Sequence, residues 1–282
     1  MYEVIFLYVL ALIWIVFAVF QDLKTREIAN WLNFSLIVFA LGFRFLFSLF
    51  KGNGDFSFFY SGLIGLGIFF VLGNLFYYGK IFAGGDAKLM ISLGAILPIY
   101  SNLSLNVQLF FNFILIFLLT GFVYILATST FLCIKHFKTF KKEFANQIKK
   151  NKKLLIIGTG ISLLFLIAGF FEPLFFILGL LIFFSSYLYL YSKAIDEVCM
   201  IRKIFAIHLR EGDWLYHNLK VGKHVIKANW DGLTQKEIKE IIKHYKKVRI
   251  RQGIPFSPNF LISFLIFIIL SKLNITLWDS FW

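Results

Sequence analysis

The chain has 282 residues, 59% of them hydrophobic and 20% aromatic, and only 16% are charged, against about 25% in soluble domains. A membrane-crossing helix takes about 20 apolar residues, so the chain holds material for many crossings, and a secreted, disordered or nucleic-acid-binding soluble protein is excluded. The net charge of +14 accordingly marks the cytoplasmic side of a membrane protein, with no nucleic acid among its partners.

Eight apolar runs follow in chain order. The first, 4–20, is uncharged, has no basic segment before it and no small-residue cleavage site after it, and reads as a crossing rather than a signal peptide. Run 31–50 is interrupted only by Arg44, and run 56–79 is uncharged. The uncharged stretch 89–134 has 46 residues, too many for one crossing, and Pro98-Ile99-Tyr100-Ser101-Asn102 divides it in two. Runs 154–171 and 173–192 flank Glu172-Pro173, where proline ends one helix or opens the next. Run 252–271 is the eighth.

The expected architecture is an all-α polytopic membrane protein of about eight transmembrane helices. Helices one to five occupy 1–134, a basic cytoplasmic loop 135–153, and helices six and seven 154–192. A small cytoplasmic α/β domain fills 193–251, and helix eight with an external C-terminus completes 252–282. Basic residues set the orientation. The connections between helices 1–2, 3–4, 5–6 and 7–8 hold 26 of the 29 Lys and Arg, which places them inside and both termini outside. Loop 135–153 reads as a solvated cytoplasmic face that meets anionic membrane lipids.

Within 193–251, Thr234-Gln235-Lys236-Glu237 is a capping box that opens a helix to about Tyr245. Val248-Arg249-Ile250 alternates as a short strand does, and Trp214, Trp230 and several Val and Ile supply a modest core. His208, His217, His224 and His244 share this domain, but spacings of 9, 7 and 20 match no ligand pattern. Cys133 and Cys199 form no C-x-x-C pair, so neither a disulfide framework nor a metal site is expected. Gly62, Gly65 and Gly67 permit close packing of helix three, and Gly222 and Gly232 suit turns.

The chemical signal lies in the acids near the membrane, Glu3, Asp22, Glu27, Asp55, Asp86, Glu172 and Asp279. Acids next to hydrocarbon are costly and by default mark function. Asp22 follows helix one in Gln21-Asp22-Leu23-Lys24-Thr25-Arg26-Glu27-Ile28-Ala29-Asn30, and Asp86 precedes helix four in Ala83-Gly84-Gly85-Asp86-Ala87-Lys88. By the charge pattern both fall at the cytoplasmic face on different helices, the arrangement a carboxylate pair requires. The bland alternative is that Asp86 caps a helix and Asp22 solvates a loop.

These blocks resemble the type IV prepilin peptidases, including the archaeal preflagellin peptidases, of the GxGD class of membrane aspartic proteases. The first is Asp22 followed by a basic, polar run ending Ile28-Ala29-Asn30; the second is Ala83-Gly84-Gly85-Asp86-Ala87-Lys88 with its Leu-Met-Ile-Ser-Leu-Gly-Ala continuation. Arg210-Glu211-Gly212-Asp213-Trp214 and Gly253-Ile254-Pro255-Phe256 are similar to extra elements of larger archaeal members. Ala83 stands where the motif has its first glycine, and Ala29 where the family has proline.

The resemblance implies a catalytic pair, Asp22 and Asp86, supported by Gly84, Gly85, Lys88 and Asn30, with no metal and no cofactor. Lys88 either places substrate or snorkels to head groups. The implied substrate is a prepilin-like protein, a type IV pilin or archaellin precursor, with a short basic leader before a hydrophobic helix. It is cut at the cytoplasmic membrane face. The cysteine pairs of many bacterial members are absent, so their N-methyltransferase activity is not expected. The strict G-x-G-D pattern occurs at Gly52-Asn53-Gly54-Asp55, but on the outer side, about 30 Å of hydrocarbon from Asp22, and it reads as a turn. Two rival readings differ in placement. A presenilin- or signal-peptide-peptidase-like enzyme holds its aspartates deep in its helices, and a transporter carries acids near helix centres.

Overall fold

A computed structural model describes residues 2–50, 55–100, 102–222, 224–229, 232–273 and 275. The chain divides into two compact units, one of Met1–Ile125 and Pro255–Trp282, the other of Leu126–Ile254.

In the first unit, α1 (Tyr2–Thr25) buries Leu7, Ala11, Ile15, Ala18 and Asp22, a stripe at spacings of three and four that turns one face inward. Its outward face is also apolar, with Phe6, Val9, Val16, Phe17 and Phe20 exposed. A helix that is apolar all round is buried in a large core or in lipid. α2 (Asn30–Phe50) buries Leu36 and Ala40 with the polar Asn33, Arg44 and Ser48. α3 (Ser57–Tyr78) turns Ser61, Gly62, Gly65, Phe69 and Gly73 inward, and its glycines govern how closely α4 (Gly84–Gly94) can approach. A Cβ on Gly65 would run into Pro98 and the Gly94 carbonyl, and one on Gly73 would lie 2.6 Å from Ile91 Cγ1. Gly62 makes room for Arg44, whose Cδ lies 2.6 Å from a Cβ placed there. The packing role expected of these glycines therefore belongs to Gly62 and Gly65; Gly67 meets nothing within 4 Å.

Arg44 closes the far end of α4. Its Nε donates to Ala95 O at 2.8 Å, and its Nη2 donates to Ile96 O at 3.1 Å and to Pro98 O. Its Nη1 donates to Phe58 O at 2.8 Å and Ser61 Oγ at 3.3 Å on α3. Asn106 then fastens the turn, accepting from Ile99 N at 3.1 Å and Tyr100 N at 3.0 Å while donating to Tyr100 O at 2.7 Å. α5 (Leu103–Lys135) starts there, and α10 (Ser257–Lys272) lays Phe260, Phe264 and Phe267 against Phe113 and Phe117.

In the second unit, α6 (Phe137–Lys150) leads into α7 (Lys152–Ala168), which pairs with α8 (Pro173–Cys199). Where the sequence suggested a loop over 135–153, the chain forms the amphipathic α6, because its phenylalanines recur on one helical face among lysines. Among the described residues five strands follow, β1 (Ile201–Phe205), β2 (Trp214–Leu215), β3 (Leu219–Val221), β4 (His224–Ile226) and β5 (Lys247–Arg251), with α9 (Gln235–His244) between β4 and β5. β5 is central to an antiparallel sheet of order β1-β5-β2, and β3 pairs with β4. The expected capping box forms in both directions at Thr234 and Glu237, and Val248 and Ile250 are the buried positions of β5. Trp214 is half-exposed and lies outside the core of Leu215, Val221, Ile226, Leu233, Ile241, Val248 and Ile250; Trp230 lies outside the described residues.

Five described helices, α1, α2, α3, α5 and α8, are long and apolar enough to cross a membrane, and a sixth if α6 and α7, bent by 76°, count as one. Expected helices four, six and eight correspond to α4, α7 and α10, of 11, 17 and 16 residues. Hydropathy follows the apolar run, whereas α4 stops at Gly94 and α7 just before Gly169, where glycine ends the helix.

Two expected outcomes follow. Arg44→Leu strands several carbonyls and should cost at least about 3 kcal/mol, read as a lowered thermal midpoint of the purified protein; an unchanged midpoint contradicts the anchoring role. Gly65→Ala should lower the same midpoint while Gly67→Ala leaves it in place.

Candidate active site

The turn between α1 and α2 is built to present Asp22. α1 ends when Arg26 adopts a left-handed φ of 61°, its N–H still bonded to Asp22 O at 2.8 Å. The Gln21 side chain then accepts from Ala29 N at 3.0 Å, folding the segment 26–29 back beneath the helix end. Asp22 is 8% exposed, and its Oδ2 accepts from the backbone N–H of Ser257 at 3.3 Å, at the start of α10. Helix N-termini offer unpaired N–H groups to anions.

Asp86 is the third residue of α4, one turn from its N-terminal end. Ala83 caps α4 in extended conformation but has no side chain to offer. The Asp86 carboxylate instead reaches back to the Ala83 N–H, the second half of a capping box. Asp86 is also 8% exposed. The charge of Asp22, on α1, acts on it. The two carboxylates are thus brought together, close enough for one charge to act on the other.

The supporting residues separate into distinct roles. Lys88 Nζ donates to Asn30 Oδ1 at 2.6 Å, tying the first turn of α2 to α4. Gly85 faces Ile28, where a Cβ would lie 3.1 Å from Ile28 Cβ and 3.3 Å from its backbone N, so glycine allows the two motif segments to touch. Gly84 meets nothing nearer than Tyr77 at 3.7 Å, and its site imposes no such demand. Asp55 is elsewhere: exposed ahead of α3, it accepts from Ser57 N at 2.8 Å and Ser57 Oγ at 2.9 Å. The 22 residues of α3 put about 33 Å between its ends, and Asp86 lies just past the other one. The glycines and asparagine of that strict motif, 52–54, lie outside the described residues.

Residues that sequence reading did not single out complete the surroundings. Ser257 and Asn259 are fully buried. The Ser257 hydroxyl has no protein partner among the described residues, and Asn259 Nδ2 donates to Phe117 O at 3.1 Å. The Tyr124 hydroxyl donates to Pro255 O at 2.8 Å, pinning the segment that enters α10. The signal for this element was the Pro255-Phe256-Ser257-Pro258 run, which stiffens a helix entrance. In the other unit, His224 pairs with Glu240 at 2.7 Å and His244 Nδ1 meets Glu240 O at 3.0 Å. Among the described residues no three His, Cys, Asp or Glu gather as a metal site.

Residues 9–129 match the sequence model of a family described as the type IV leader peptidase family. The chain is 31% identical over 103 residues to a preflagellin peptidase of Methanococcus maripaludis, covering 34% of this chain and 43% of that relative. It is 32% identical over 94 residues to a preflagellin peptidase of Methanococcus voltae, covering 33% of this chain and 39% of that relative. The chain thus spans about two fifths of the length of the curated relatives it matches. No solved structure matches it.

Proposed function

From the match of residues 9–129 to the type IV leader peptidase family, we propose that the chain is a membrane aspartic endopeptidase that removes the short basic leader of prepilin-like precursors. The observation that carries the reading is the burial of Asp22 and Asp86 from two different helix ends, with the charge of one acting on the other. Two carboxylates so close do not both ionise readily, and they share a proton. The ionised member takes a proton from water as the water oxygen bonds to the scissile carbonyl carbon, and the protonated member donates to the carbonyl oxygen. Collapse of the tetrahedral intermediate breaks the C–N bond as the amine leaves with a proton from the pair. The roles belong to the pair as a unit. Lys88 and Asn30 hold α4 against the start of α2, and Gly85 lets Ile28 pack against α4 beside Asp86.

The same reading sets the chain in the membrane. Eight passes, with the Lys- and Arg-rich connections inside and both termini outside, follow the charge distribution. α4 supplies about 16 Å of the fourth pass, and the non-helical residues after it supply the rest, supported by the Arg44 hydrogen bonds to their carbonyls. Irregular backbone is tolerated at membrane depth only where protein satisfies it. The pair then lies at the cytoplasmic face, where a leader next to a hydrophobic helix is reached without unwinding buried backbone. A type IV pilin or archaellin precursor is the substrate class this fits, and the preflagellin peptidases it resembles carry a matching name. Proteolysis alone is proposed, with no methyl transfer, no metal and no cofactor.

Co-expression with a prepilin-type substrate tests the proposal. The wild type should shorten the substrate, Asp22→Asn and Asp86→Asn should each leave it full length while still inserting in the membrane, and Asp55→Asn should cleave normally. Cleavage by either of the first two variants, or its loss in Asp55→Asn, overturns the assignment.

A further inference from the structure

The second unit carries a binding surface that the peptidase chemistry does not use. Phe140 and Phe144 of α6 stack at 5.7 Å, and the Phe140 ring meets Tyr191 of α8 edge-on at 5.7 Å. These contacts seat the aromatic face of α6 on α8. Lys138, Lys141, Lys142, Lys149 and Lys150 are all exposed, and Lys152 and Lys153 follow immediately at the start of α7, also exposed. The one acid among them, Glu143, accepts from Gln147 Nε2 at 2.7 Å. The axis then turns by 76° into α7. α6 therefore lies across the end of the apolar α7–α8 hairpin, aromatic inward and basic outward, as a helix seated in a membrane interface does.

Beside this bend α7 and α8 part to leave a groove of about 530 Å³, lined by Leu154, Ile157, Gly158, Ser185, Ser186 and Tyr189. Gly158 is where the helices approach, since a Cβ there would run into Ser186 Oγ. Cations flank the basic end of the groove from both walls. Lys152 and Lys153 immediately precede Leu154, and Lys193 lies one turn beyond Tyr189 with its Nζ 4.6 Å from that ring. A tyrosine beside lysines at the end of an apolar groove suits the boundary between acyl chains and head groups.

We propose that the α7–α8 groove and the lysines at its α6 end bind an anionic phospholipid, its glycerol and acyl chain in the groove and its phosphate against Lys152, Lys153 and Lys193. The apolar lining excludes a free anion as the intended ligand, because such an ion gains nothing from Leu154 and Ile157. The excess of lysine selects against zwitterionic lipids, whose quaternary ammonium the same cluster repels, since Glu143 is hydrogen-bonded to Gln147 and Asp196 and Glu197, one turn past Lys193, are paired with Arg251. Exposed Lys138, Lys141, Lys142, Lys149 and Lys150 extend the positive surface to neighbouring anionic head groups. α6 is thereby held in the interface plane.

The full-length protein in neutral detergent tests the site. Native mass spectrometry should show dioleoyl phosphatidylglycerol retained at least about tenfold more tightly than dioleoyl phosphatidylcholine, since each lysine near a head group contributes on the order of fivefold. Lys152→Gln/Lys153→Gln/Lys193→Gln should bring that ratio close to one. Ser185→Leu fills the groove from an exposed position whose hydroxyl bonds only the local Ile182 O, and it should reduce retention of both lipids. Inorganic phosphate at the same concentration should not displace phosphatidylglycerol. Equal retention of the two lipids by the wild type, selectivity surviving the triple substitution, or displacement by inorganic phosphate overturns the proposal. Leader cleavage does not enter the readout, so the result is independent of the peptidase assignment.

Discussion

The architecture around the paired aspartates depends on one guanidinium. α4 stops after 11 residues inside the unit, and a helix that stops leaves carbonyls without partners. Water is not there to take them up, and each unsatisfied group in an apolar surrounding costs several kcal/mol. Arg44 supplies the donors as a planar fork, reaching Ala95, Ile96 and Pro98 beyond α4 and Phe58 and Ser61 on α3. Its charge also suits the negative end of the α4 dipole, and it stacks over the Phe58 ring at 4.4 Å. Lysine, a point charge with three donors, has no such reach. By holding the C-terminal end of a short rigid helix, Arg44 sets the height of Asp86 at the other end.

The two carboxylates occupy unlike ends of their helices. Asp86 sits in the first turn of α4, at its positive end, where an acid is favoured. Asp22 sits in the last turn of α1, where the helix dipole opposes an acid. The N–H of Ser257 at the start of α10 answers it, so a residue more than two hundred positions away supplies what its own helix does not. Pro255, Phe256 and Tyr124 fix where that N–H points. Both aspartates are thereby held by backbone groups, which move less than side chains would.

The second unit follows different rules within a shorter stretch of chain. The α7–α8 hairpin is apolar outward, whereas the sheet and α9 bury an ordinary apolar core and expose charge. The junction between them is electrostatic: Arg251 at the end of β5 grips Asp196 at 3.0 Å and Glu197 at 2.7 Å on the last turns of α8, and Tyr216 donates to Glu197 at 2.7 Å. Arg251 thus bridges two carboxylates, one through each Nη, in charge-assisted hydrogen bonds. The same helix thus changes from lipid-compatible to water-compatible over its final turn.

How much of this the sequence determined by itself follows from the range of the forces involved. Local patterns reported local structure: the apolar runs marked α1, α2, α3, α5 and α8, the Thr234 and Glu237 box formed as written, and the alternation of Val248 and Ile250 matched β5. Asp22 and Asp86 stood out because acids beside hydrocarbon are rare and costly. Other features required tertiary structure, since they depend on residues far apart in the chain. Hydropathy cannot tell a run that crosses from one that stops, so the shortness of α4 became visible only with Arg44 bonded across 51 residues to Ala95. Composition could not distinguish Gly65, pressed against Pro98, from Gly67, which faces open space. Nor could any motif point to the Ser257 N–H, because a backbone donor carries no side-chain signature; only the folding of α10 against α1 brings it to Asp22.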